Sequence, residues 1–240
     1  MKVALVGYGK MGRMVEEIAL QRGHEIVARI SSKDKFSSQP GISKANVCIE
    51  FSHPSCVIEN IKKLAEMGRD IVVGTTGWYE QHNLVEEIVK RHNIGLLYAS
   101  NFSLGVNLFL KLVAEASVLL DPFAEYDVGL FEAHHSQKAD SPSGTGKAIA
   151  KTILKNMKRK NQIVEHAQGV VKPNELNIAS LRCGSIPGTH SVIFSSPADT
   201  ITLTHEAHNR QGFAKGAVQA AEWLQGKKGI FTIEHMLGDL

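Results

Sequence analysis

The densest group of chemically capable side chains lies between Glu132 and Thr145. Within these fourteen consecutive residues, His134 and His135 follow an acid, and Lys138 precedes the turn Ser143-Gly144-Thr145. A histidine holds or releases a proton near neutral pH because its ordinary pKa is about 6.5. A lysine supplies a fixed cation, and a helix beginning at the turn would offer free backbone N–H groups to an anion. The segment therefore predicts a site for a small substrate that carries carboxylates and reacts with proton transfer.

Each of these residues also has a plainer interpretation. A lone histidine such as His134 is more often structural, and a lone lysine such as Lys138 more often lies on the surface. For Glu132 and Asp140 we favour an orienting role over a reacting one. Taken alone, the segment predicts a site without fixing which residue reacts.

A second motif, Gly7-Tyr8-Gly9-Lys10-Met11-Gly12, follows a predicted strand and begins a predicted helix. In a dinucleotide-binding loop the first glycine permits the tight turn and the second lets the backbone approach the pyrophosphate. The third allows the helix to pack closely on the strand. We predict that these six residues contact a dinucleotide, with a purely structural glycine turn as the alternative. Together with the proton-donating segment, the loop indicates an oxidoreductase.

The end of the second predicted strand usually decides between NAD and NADP. An acid there binds the ribose hydroxyls, and a basic residue binds a 2′-phosphate. This chain has Arg29-Ile30-Ser31-Ser32-Lys33-Asp34-Lys35, without an acid at the strand tip itself. Because Ser31, Ser32 and Lys33 could meet a phosphate, we expect NADPH, with use of NADH also open. The lysines could equally be ordinary loop residues.

Two further segments, Gly74-Thr75-Thr76-Gly77 and Ala99-Ser100-Asn101-Phe102-Ser103, follow predicted strands. Ligands of open α/β sheets bind at the carboxyl ends of the strands. Small and hydroxyl-bearing residues would let a nicotinamide ring and its ribose approach the backbone. We therefore predict cofactor contacts at 74–76 and 99–102, although ordinary turn chemistry favours the same residue types.

The first hundred residues alternate between short apolar runs and amphipathic stretches, which is the pattern of βα units in a parallel sheet. Gly23 and Gly68 follow two of the amphipathic stretches where a helix-capping glycine belongs. We predict a Rossmann-like, doubly wound parallel sheet. Its strands cover 3–6, 26–30, 47–51, 71–73 and 94–98, and its helices cover 11–22, 54–67 and a stretch around 84–89.

After Asn101 the alternation of short apolar runs and amphipathic stretches ends. Helices are predicted over 106–120 and 146–157, and strands over 128–131, 178–181, 191–194 and 200–204. The close spacing of the last three strands favours a mixed or antiparallel sheet. We therefore predict a dinucleotide-binding domain of residues 1–102, completed by a C-terminal helix over 207–240 with its amphipathic part at 213–224. A second α+β domain covers 103–206 and binds the substrate.

The bulk composition excludes several other classes of protein. The net charge is only +3, and the one basic cluster, 155–160, reads as a solvated helix end, so we expect no nucleic-acid partner. No apolar run approaches the roughly 20 residues of a membrane helix, and the N-terminus does not resemble a targeting peptide. Three scattered cysteines suggest neither a disulfide framework nor a metal site, and His205-Glu206-Ala207-His208 lacks the spacing of a zinc motif. We expect a cytoplasmic protein without a metal.

The chain resembles the dihydrodipicolinate reductases, or 4-hydroxy-tetrahydrodipicolinate reductases, of bacterial and plant lysine and diaminopimelate synthesis. The matching segments are the glycine loop, Gly74-Thr75-Thr76-Gly77, Asn101-Phe102-Ser103-Leu104-Gly105-Val106-Asn107, the two-histidine segment, and Arg182-x-Gly184-x-Ile186-x-Gly188-x-His190. The family signature Glu-x-His-x-x-x-Lys-x-Asp-x-Pro-Ser-Gly-Thr-Ala is met from Glu132 to Thr145. It fails only at the last place, where this chain has Gly146.

The resemblance implies hydride transfer from NADPH or NADH to a cyclic, conjugated imine with two carboxylates, which gives tetrahydrodipicolinate. It makes His134 the catalytic proton donor, and Lys138 a second donor or the cation that holds a carboxylate. His135 becomes a substrate contact, and Ser143, Gly144 and Thr145 offer N–H groups and hydroxyls to a substrate carboxylate. Family members are homotetramers built through the second domain, so we expect a homotetramer with its contacts in 103–206. Arg182 and His190 are structural or substrate-supporting.

Two departures from the family bear on the cofactor. Many members have Gly-x-x-Gly-x-x-Gly in the first loop, which is one residue longer, and many have an acid after the second strand. The preference between NADH and NADPH therefore stays open. Two alternatives also remain: a related nicotinamide-dependent reductase of another imine or carboxylate, and a catalytically silent nucleotide-sensing regulator. The intact His134 and Lys138 argue against the regulator.

Overall fold

The computed structural model describes residues 1–34, 39–165 and 167–238. The chain forms two compact units. Unit 1 consists of Met1–Leu104 together with Gln211–Leu240, and unit 2 consists of Gly105–Arg210. The sequence-based boundaries at 102 and 206 lie two and four residues before the observed ones.

Unit 1 is built on a six-stranded parallel sheet. Its strands are β1 (Lys2–Val6), β2 (Glu25–Ile30), β3 (Val47–Glu50), β4 (Asp70–Val73), β5 (Gly95–Tyr98) and β11 (Gly229–Thr232), in the spatial order β11-β5-β4-β3-β1-β2. The helices are α1 (Lys10–Gln21), α2 (Val57–Glu66), α3 (His82–His92), α6 (Gln211–Leu224) and α7 (Ile233–Gly238). The chain runs outward from β1 to β2 on one side and from β3 to β5 on the other. The topological switch point therefore lies between β1 and β3, where open α/β sheets bind their ligands.

Two apolar cores cover the two faces of this sheet. Successive residues of a strand point to opposite faces, so Val3 and Leu5 pack with residues of α1 and α6, whereas Ala4 and Val6 pack with residues of α2 and α3. A sheet covered on both faces by helices is the usual setting of parallel strands. The predicted doubly wound fold is confirmed.

The C-terminal segment differs from the predicted single helix over 207–240. Helix α6 ends at Leu224, β11 then pairs in parallel with β5, and α7 follows. Gly226, which follows the end of α6, and Gly229, the first residue of β11, have φ of +76° and +113°, positive values that glycine adopts without strain. Asp239 and Leu240 lie outside the described residues.

Unit 2 contains a mixed five-stranded sheet. Its strands are β6 (Asp127–His134), β7 (Gln162–Glu165), β8 (Glu175–Arg182), β9 (Thr189–Ser195) and β10 (Thr200–Glu206), in the order β10-β9-β6-β8-β7. Strand β8 is parallel to β6 and β7, whereas β9 is antiparallel to β6 and β10. The predicted mixed sheet is confirmed, and β7 is an additional strand that the sequence analysis did not identify.

One face of the second sheet is covered by α4 (Leu104–Leu120) and α5 (Gly144–Asn156), whose residues Val113 and Ile149 pack with strand residues such as Phe194. The opposite face includes Leu181 and Ile193, which are both exposed. Among the helices of the described residues, none is both long and apolar enough to cross a bilayer.

Candidate active site

The glycine loop of unit 1 leaves no room for a side chain at two of its three glycines. Gly7 has a φ of +88°, and a Cβ there would lie 2.1 Å from the Phe51 carbonyl oxygen. A Cβ on Gly12 would lie 2.7 Å from the Gly7 carbonyl oxygen. A Cβ on Gly9 would meet none of the described atoms within 4 Å beyond its chain neighbours, so the backbone is accessible there. The first N–H groups of α1, at Lys10, Met11 and Gly12, have no intrahelical acceptor and are available to an anion.

A cavity of about 950 Å³ adjoins this loop at the carboxyl ends of β1, β2 and β3. Its walls include the backbone of Gly7 and Gly9, the strand end at Ile30 and Ser31, and Asn60 of α2. The volume is that of a pocket for a molecule of nucleotide size. The cavity lies at the topological switch point, so loop and cavity fit the predicted dinucleotide.

The segment after β2 requires a correction to the sequence analysis. Asp34 lines the cavity, and its Oδ2 accepts hydrogen bonds from the Ser31 backbone N–H at 2.8 Å and from Ser31 Oγ at 2.6 Å. An acid is therefore present at the strand tip, because the loop folds back on itself. The side chain of Lys33 is exposed and is not one of the residues that line the cavity, and Lys35 lies outside the described residues.

Tyr8 lines the cavity with its polar groups already bound. Its hydroxyl donates to Glu16, its backbone N–H donates to the Ile30 carbonyl at 2.9 Å, and the Arg29 side chain also binds Glu16. The hydrogen-bond donors of Tyr8 are therefore engaged within the protein, and the guanidinium groups of Arg13 and Arg29 lie 5.5 Å and 6.0 Å from the centroid of its ring.

The two later segments of the cofactor prediction lie at the ends of neighbouring strands. Gly74, Thr75 and Thr76 follow β4, and Ala99 to Phe102 follow β5, which pairs with β4. Thr76 and Ser100 are exposed, whereas Thr75, Ala99 and Phe102 are buried. Asn101 Oδ1 accepts from the Ser103 N–H at 2.8 Å and so shapes its own turn.

A buried carboxyl group, Glu50, holds the end of β3 to the end of β4. Its Oε2 accepts from Thr75 Oγ1 at 2.5 Å, and its Oε1 accepts from Asn60 Nδ2 at 3.1 Å and from the Ser52 hydroxyl. Burial raises the pKa of Glu50, against the effect of these hydrogen bonds. The Thr75 hydroxyl thus binds within the protein. Glu50 was not predicted from the sequence. The rule that ligands bind at the carboxyl ends of strands, which was applied to β4 and β5, would also have pointed to the end of β3.

In unit 2 the hub of the predicted site is Glu132 on β6, whose side chain is fully buried. Its two oxygens accept from Ser143 N at 3.0 Å, Ser143 Oγ at 2.5 Å, Ser180 Oγ at 3.1 Å and Arg182 Nη2 at 2.9 Å. Burial would raise the pKa of Glu132, but the hydrogen bonds from Ser143 and Arg182 outweigh it, and the pKa is lowered. Glu132 is thus an ionised acceptor that binds Ser143, Ser180 and Arg182.

The prediction that Ser143 offers its N–H and hydroxyl to a substrate needs correction. Ser143 is buried, both groups donate to Glu132, and its Oγ accepts from Gly146 N at 2.9 Å as the N-cap of α5. The available groups at this helix start belong to Gly144, which is exposed, and Thr145, which is half-buried.

Lys138 and His135 lie in the turn after β6, and both are partly exposed. Lys138 Nζ donates to Asp140 Oδ1 at 2.6 Å, and this bond lowers the pKa of Asp140. Arg182 Nη2 also donates to the Asp140 carbonyl at 2.6 Å, which joins the turn to the Glu132 carboxylate.

His134 is buried at the end of β6 and contacts a second histidine. Its Nε2 lies 3.4 Å from Nε2 of His190 on β9, and burial lowers the pKa of both rings, that of His190 to about 4. Ligand atoms of Glu132, His134 and His190 lie within 4.8 Å of one another, a spacing that a metal ion could use. Because hydrogen-bond donors already occupy both Glu132 oxygens, we interpret the cluster as a hydrogen-bond network.

Comparison with known proteins matches both units to one family. The description "Dihydrodipicolinate reductase, N-terminus" matches residues 1–102, and "Dihydrodipicolinate reductase, C-terminus" matches residues 105–237. The 4-hydroxy-tetrahydrodipicolinate reductase of Christiangramia forsetii is 41% identical over 100% of this chain and 99% of that protein. The chain belongs to the dihydrodipicolinate reductase family. The resemblance inferred from the motifs is confirmed.

One further relative agrees with this assignment, and one solved structure has the same fold. The 4-hydroxy-tetrahydrodipicolinate reductase of Methanoregula boonei is 35% identical over 95% of this chain and 92% of that protein. The structure of a dipicolinate-bound dihydrodipicolinate reductase from Paenisporosarcina sp. TG-14 superposes with a TM-score of 0.79 at 23% identity, covering 97% of both chains. At this identity the superposition shows the shared fold.

The single departure from the dihydrodipicolinate reductase signature has a local explanation. A Cβ at Gly146 would lie 2.5 Å from Glu132 Oε2 and 3.4 Å from Ser143 Oγ. An alanine there would need the Glu132 carboxylate to shift. In this family member, Gly146 is matched to the tight bonding between Glu132 and the start of α5.

Proposed function

We propose that the protein is a 4-hydroxy-tetrahydrodipicolinate reductase. It reduces a cyclic imine dicarboxylate to tetrahydrodipicolinate with a hydride from NADH or NADPH and a proton. One observation carries the proposal: His134 is fixed at the end of β6 by the buried Glu132 network, with Lys138 and the start of α5 close by in sequence. The family membership gives this arrangement its substrate class.

Residues of unit 1 hold the nicotinamide cofactor, which supplies the hydride when bound. The N–H groups at Lys10, Met11 and Gly12 bind the pyrophosphate at the start of α1. The cavity beside Gly9 and Ser31 receives the adenosine half. The strand ends at 74–76 and 99–102 lie at the same carboxyl edge of the sheet and receive the nicotinamide half.

Residues of unit 2 bind the doubly anionic substrate. The N–H groups of Gly144 and Thr145 open α5 and offer a positive helix end to one carboxylate. Lys138 supplies a cation and His135 a further polar contact, both from the partly exposed turn after β6. Pairing with Asp140 holds the Lys138 ammonium group in place until a carboxylate arrives.

His134 donates the proton. Hydride addition leaves an electron pair on the substrate ring, and the protonated imidazole quenches it. Because burial lowers the pKa of His134, its charged form gives up the proton more readily than an exposed histidine would. Electrostatic repulsion from Lys138 and Arg182 acts in the same direction.

The preference between the two cofactors follows from Asp34. A carboxylate hydrogen-bonded at the tip of β2 accepts hydrogen bonds from ribose hydroxyls and repels a 2′-phosphate. We therefore propose that the enzyme uses NADH at least as well as NADPH, a change from the NADPH expected on sequence grounds.

Subunit contacts form through the sheet of unit 2. Its outward face includes Leu181 and Ile193, whose exposed apolar side chains would gain from burial in a subunit contact. We propose a homotetramer assembled through this face. We place the reaction in the cytoplasm, where reduced nicotinamide cofactors are supplied.

A steady-state assay tests the function. Purified protein receives the product generated in situ by the preceding synthase, and oxidation of NADH and NADPH is followed in parallel. We expect turnover with both cofactors and a loss of about 10²–10⁴-fold in His134→Gln. An absence of turnover with either cofactor, in a protein that binds them, would contradict the proposal.

A further inference from the structure

The positions of the hydrogens around His134 follow from the donors and acceptors beside it. Glu132 is ionised, so it can only accept hydrogen bonds. Its Oε2 lies 2.5 Å from Ser143 Oγ. The only hydroxyl hydrogen of Ser143 is therefore committed to Glu132, and only lone pairs of Ser143 Oγ remain.

His190 must then be a donor to Ser143. Its Nε2 lies 3.2 Å from Ser143 Oγ, so this nitrogen carries a hydrogen. The ring is neutral near pH 7 because burial lowers the pKa of His190 to about 4. Nδ1 of His190 is buried without a hydrogen-bond partner among the described residues, which suits the unprotonated nitrogen of a neutral ring.

His134 faces the same N–H group of His190. The two Nε2 atoms are 3.4 Å apart, and the rings meet edge to face with centroids 5.1 Å apart. Because the hydrogen of this contact belongs to His190, Nε2 of neutral His134 accepts it, and neutral His134 carries its own hydrogen on Nδ1. In charged His134, two N–H groups would face each other.

From this arrangement we infer that His190 is a positioning residue for proton donation by His134. Its Nε2–H favours the neutral, Nδ1–H form of His134, which is the form left after the proton has gone. The inference rests on the proposed function, since it needs His134 to be the donor. In the step, the N–H bond at His134 Nε2 breaks, the proton joins the substrate atom that gained the electron pair, and the lone pair stays on Nε2.

Other charged groups face the pair but act through charge alone. Glu132 on β6 raises the pKa of His134, whereas Lys138 and Arg182 lower it. His205 on β10 stands opposite His190 in the strand register, and its charge would lower the pKa of His190. Among these neighbours, His190 is the one described as hydrogen-bonded to the His134 ring, which separates its role from theirs.

The pH dependence of kcat tests the inference. His190→Leu removes the N–H group, and His190→Gln keeps an amide N–H at similar reach. In the leucine variant we expect kcat to fall about tenfold and the pH above which kcat declines to rise by about one unit, since one unit is a tenfold change in acidity. The glutamine variant should return the decline towards the wild-type pH. His205→Gln, which leaves the contact intact, serves as the matched control.

A second measurement does not depend on turnover. In protein labelled with ¹⁵N-histidine, ring nitrogen shifts should report the Nδ1–H form of His134 in the wild type and a mixture in His190→Leu. An Nε2–H form in the wild type, or an unmoved pH profile in the leucine variant, overturns the inference. A wild type without reductase activity contradicts the proposed function instead, and the ring shifts then still test the pair.

Discussion

The Lys138 ammonium group takes part in two electrostatic interactions. Its Nζ binds Asp140, and the same charge adds to the field at His134. In Lys138→Ala we expect kcat/KM for the imine to fall about 10²-fold, because a developing negative charge loses its cation. Nicotinamide affinity, measured by fluorescence titration, should stay within about twofold, because the proposed cofactor residues belong to unit 1.

The control for Lys138 is Lys151→Ala, which removes an exposed lysine from the middle of α5. It should leave both quantities unchanged. Wild-type turnover in Lys138→Ala would remove Lys138 from the mechanism.

Asp34 gives a second prediction at the scale of a single side chain. Hydrogen bonds from Ser31 lower the pKa of Asp34, so the carboxylate is charged throughout the neutral range. In Asp34→Ser we expect KM for NADH to rise and KM for NADPH to fall, each by about tenfold, because the repulsion of a 2′-phosphate is lost. Glu59→Gln is the matched control, since this carboxyl group lines the same cavity away from the tip of β2. An unchanged ratio of the two KM values would refute the role of Asp34.

The residues of the site show what a sequence can and cannot predict. The resemblance to a contiguous family signature picked out His134 and Lys138, whereas the spacing alone predicted a site without fixing which residue reacts. His190 lies 56 residues from His134, and its contact with that ring depends on the antiparallel register of β6 and β9. Ser143 was predicted as a substrate contact because a short motif does not reveal that a buried carboxylate takes both its donors.

At the scale of a single helix, two glycines at the start of α5 should respond differently to substitution by alanine. Glycine inside a helix normally costs about 1 kcal/mol relative to alanine. In Gly144→Ala, where the added Cβ meets open space among the described atoms, we expect an unchanged or slightly higher Tm. In Gly146→Ala the new Cβ approaches Glu132 Oε2, so we expect a loss of about 1–2 kcal/mol, or roughly 2–8 °C in Tm. Differential scanning calorimetry measures both, and an equal gain in the two variants would contradict the close packing.

Helices and strands were predicted correctly where their apolar pattern was clear. Helices α1 and α2 were found because their apolar residues recur on one face, and β1 and β3 because buried parallel strands are continuous apolar runs. Strands β7 and β11 were missed, since each has four residues and stands at a sheet edge. Pairing with a neighbour defines such strands more than their own composition does.

At the scale of the whole molecule, the outward face of the second sheet predicts how copies associate. Ile193 pairs with Gly129 and Thr202 on this face, whereas Ile201 pairs with the buried Phe194 and so belongs to the other face. We expect Ile193→Lys to convert the proposed tetramer to smaller species, because a charge would replace apolar surface in the proposed subunit contact.

Light scattering after gel filtration measures the mass of each variant. Ile201→Lys is the control, since Ile201 is similarly exposed. A wild-type protein that runs as a monomer, or a tetramer retained in Ile193→Lys, would rule out this face as the contact.

The first unit is made from two segments that are separate in the sequence, with β11 at the edge of its sheet and α6 packed on its core. During synthesis, the intervening segment leaves the ribosome while the first segment still lacks this helix and this edge strand. The nucleotide-binding fold can close only after α6 and β11 have emerged. A ribosome that stalls before they emerge would therefore hold a nascent polypeptide with an uncovered apolar surface, which is a target for chaperones and proteases.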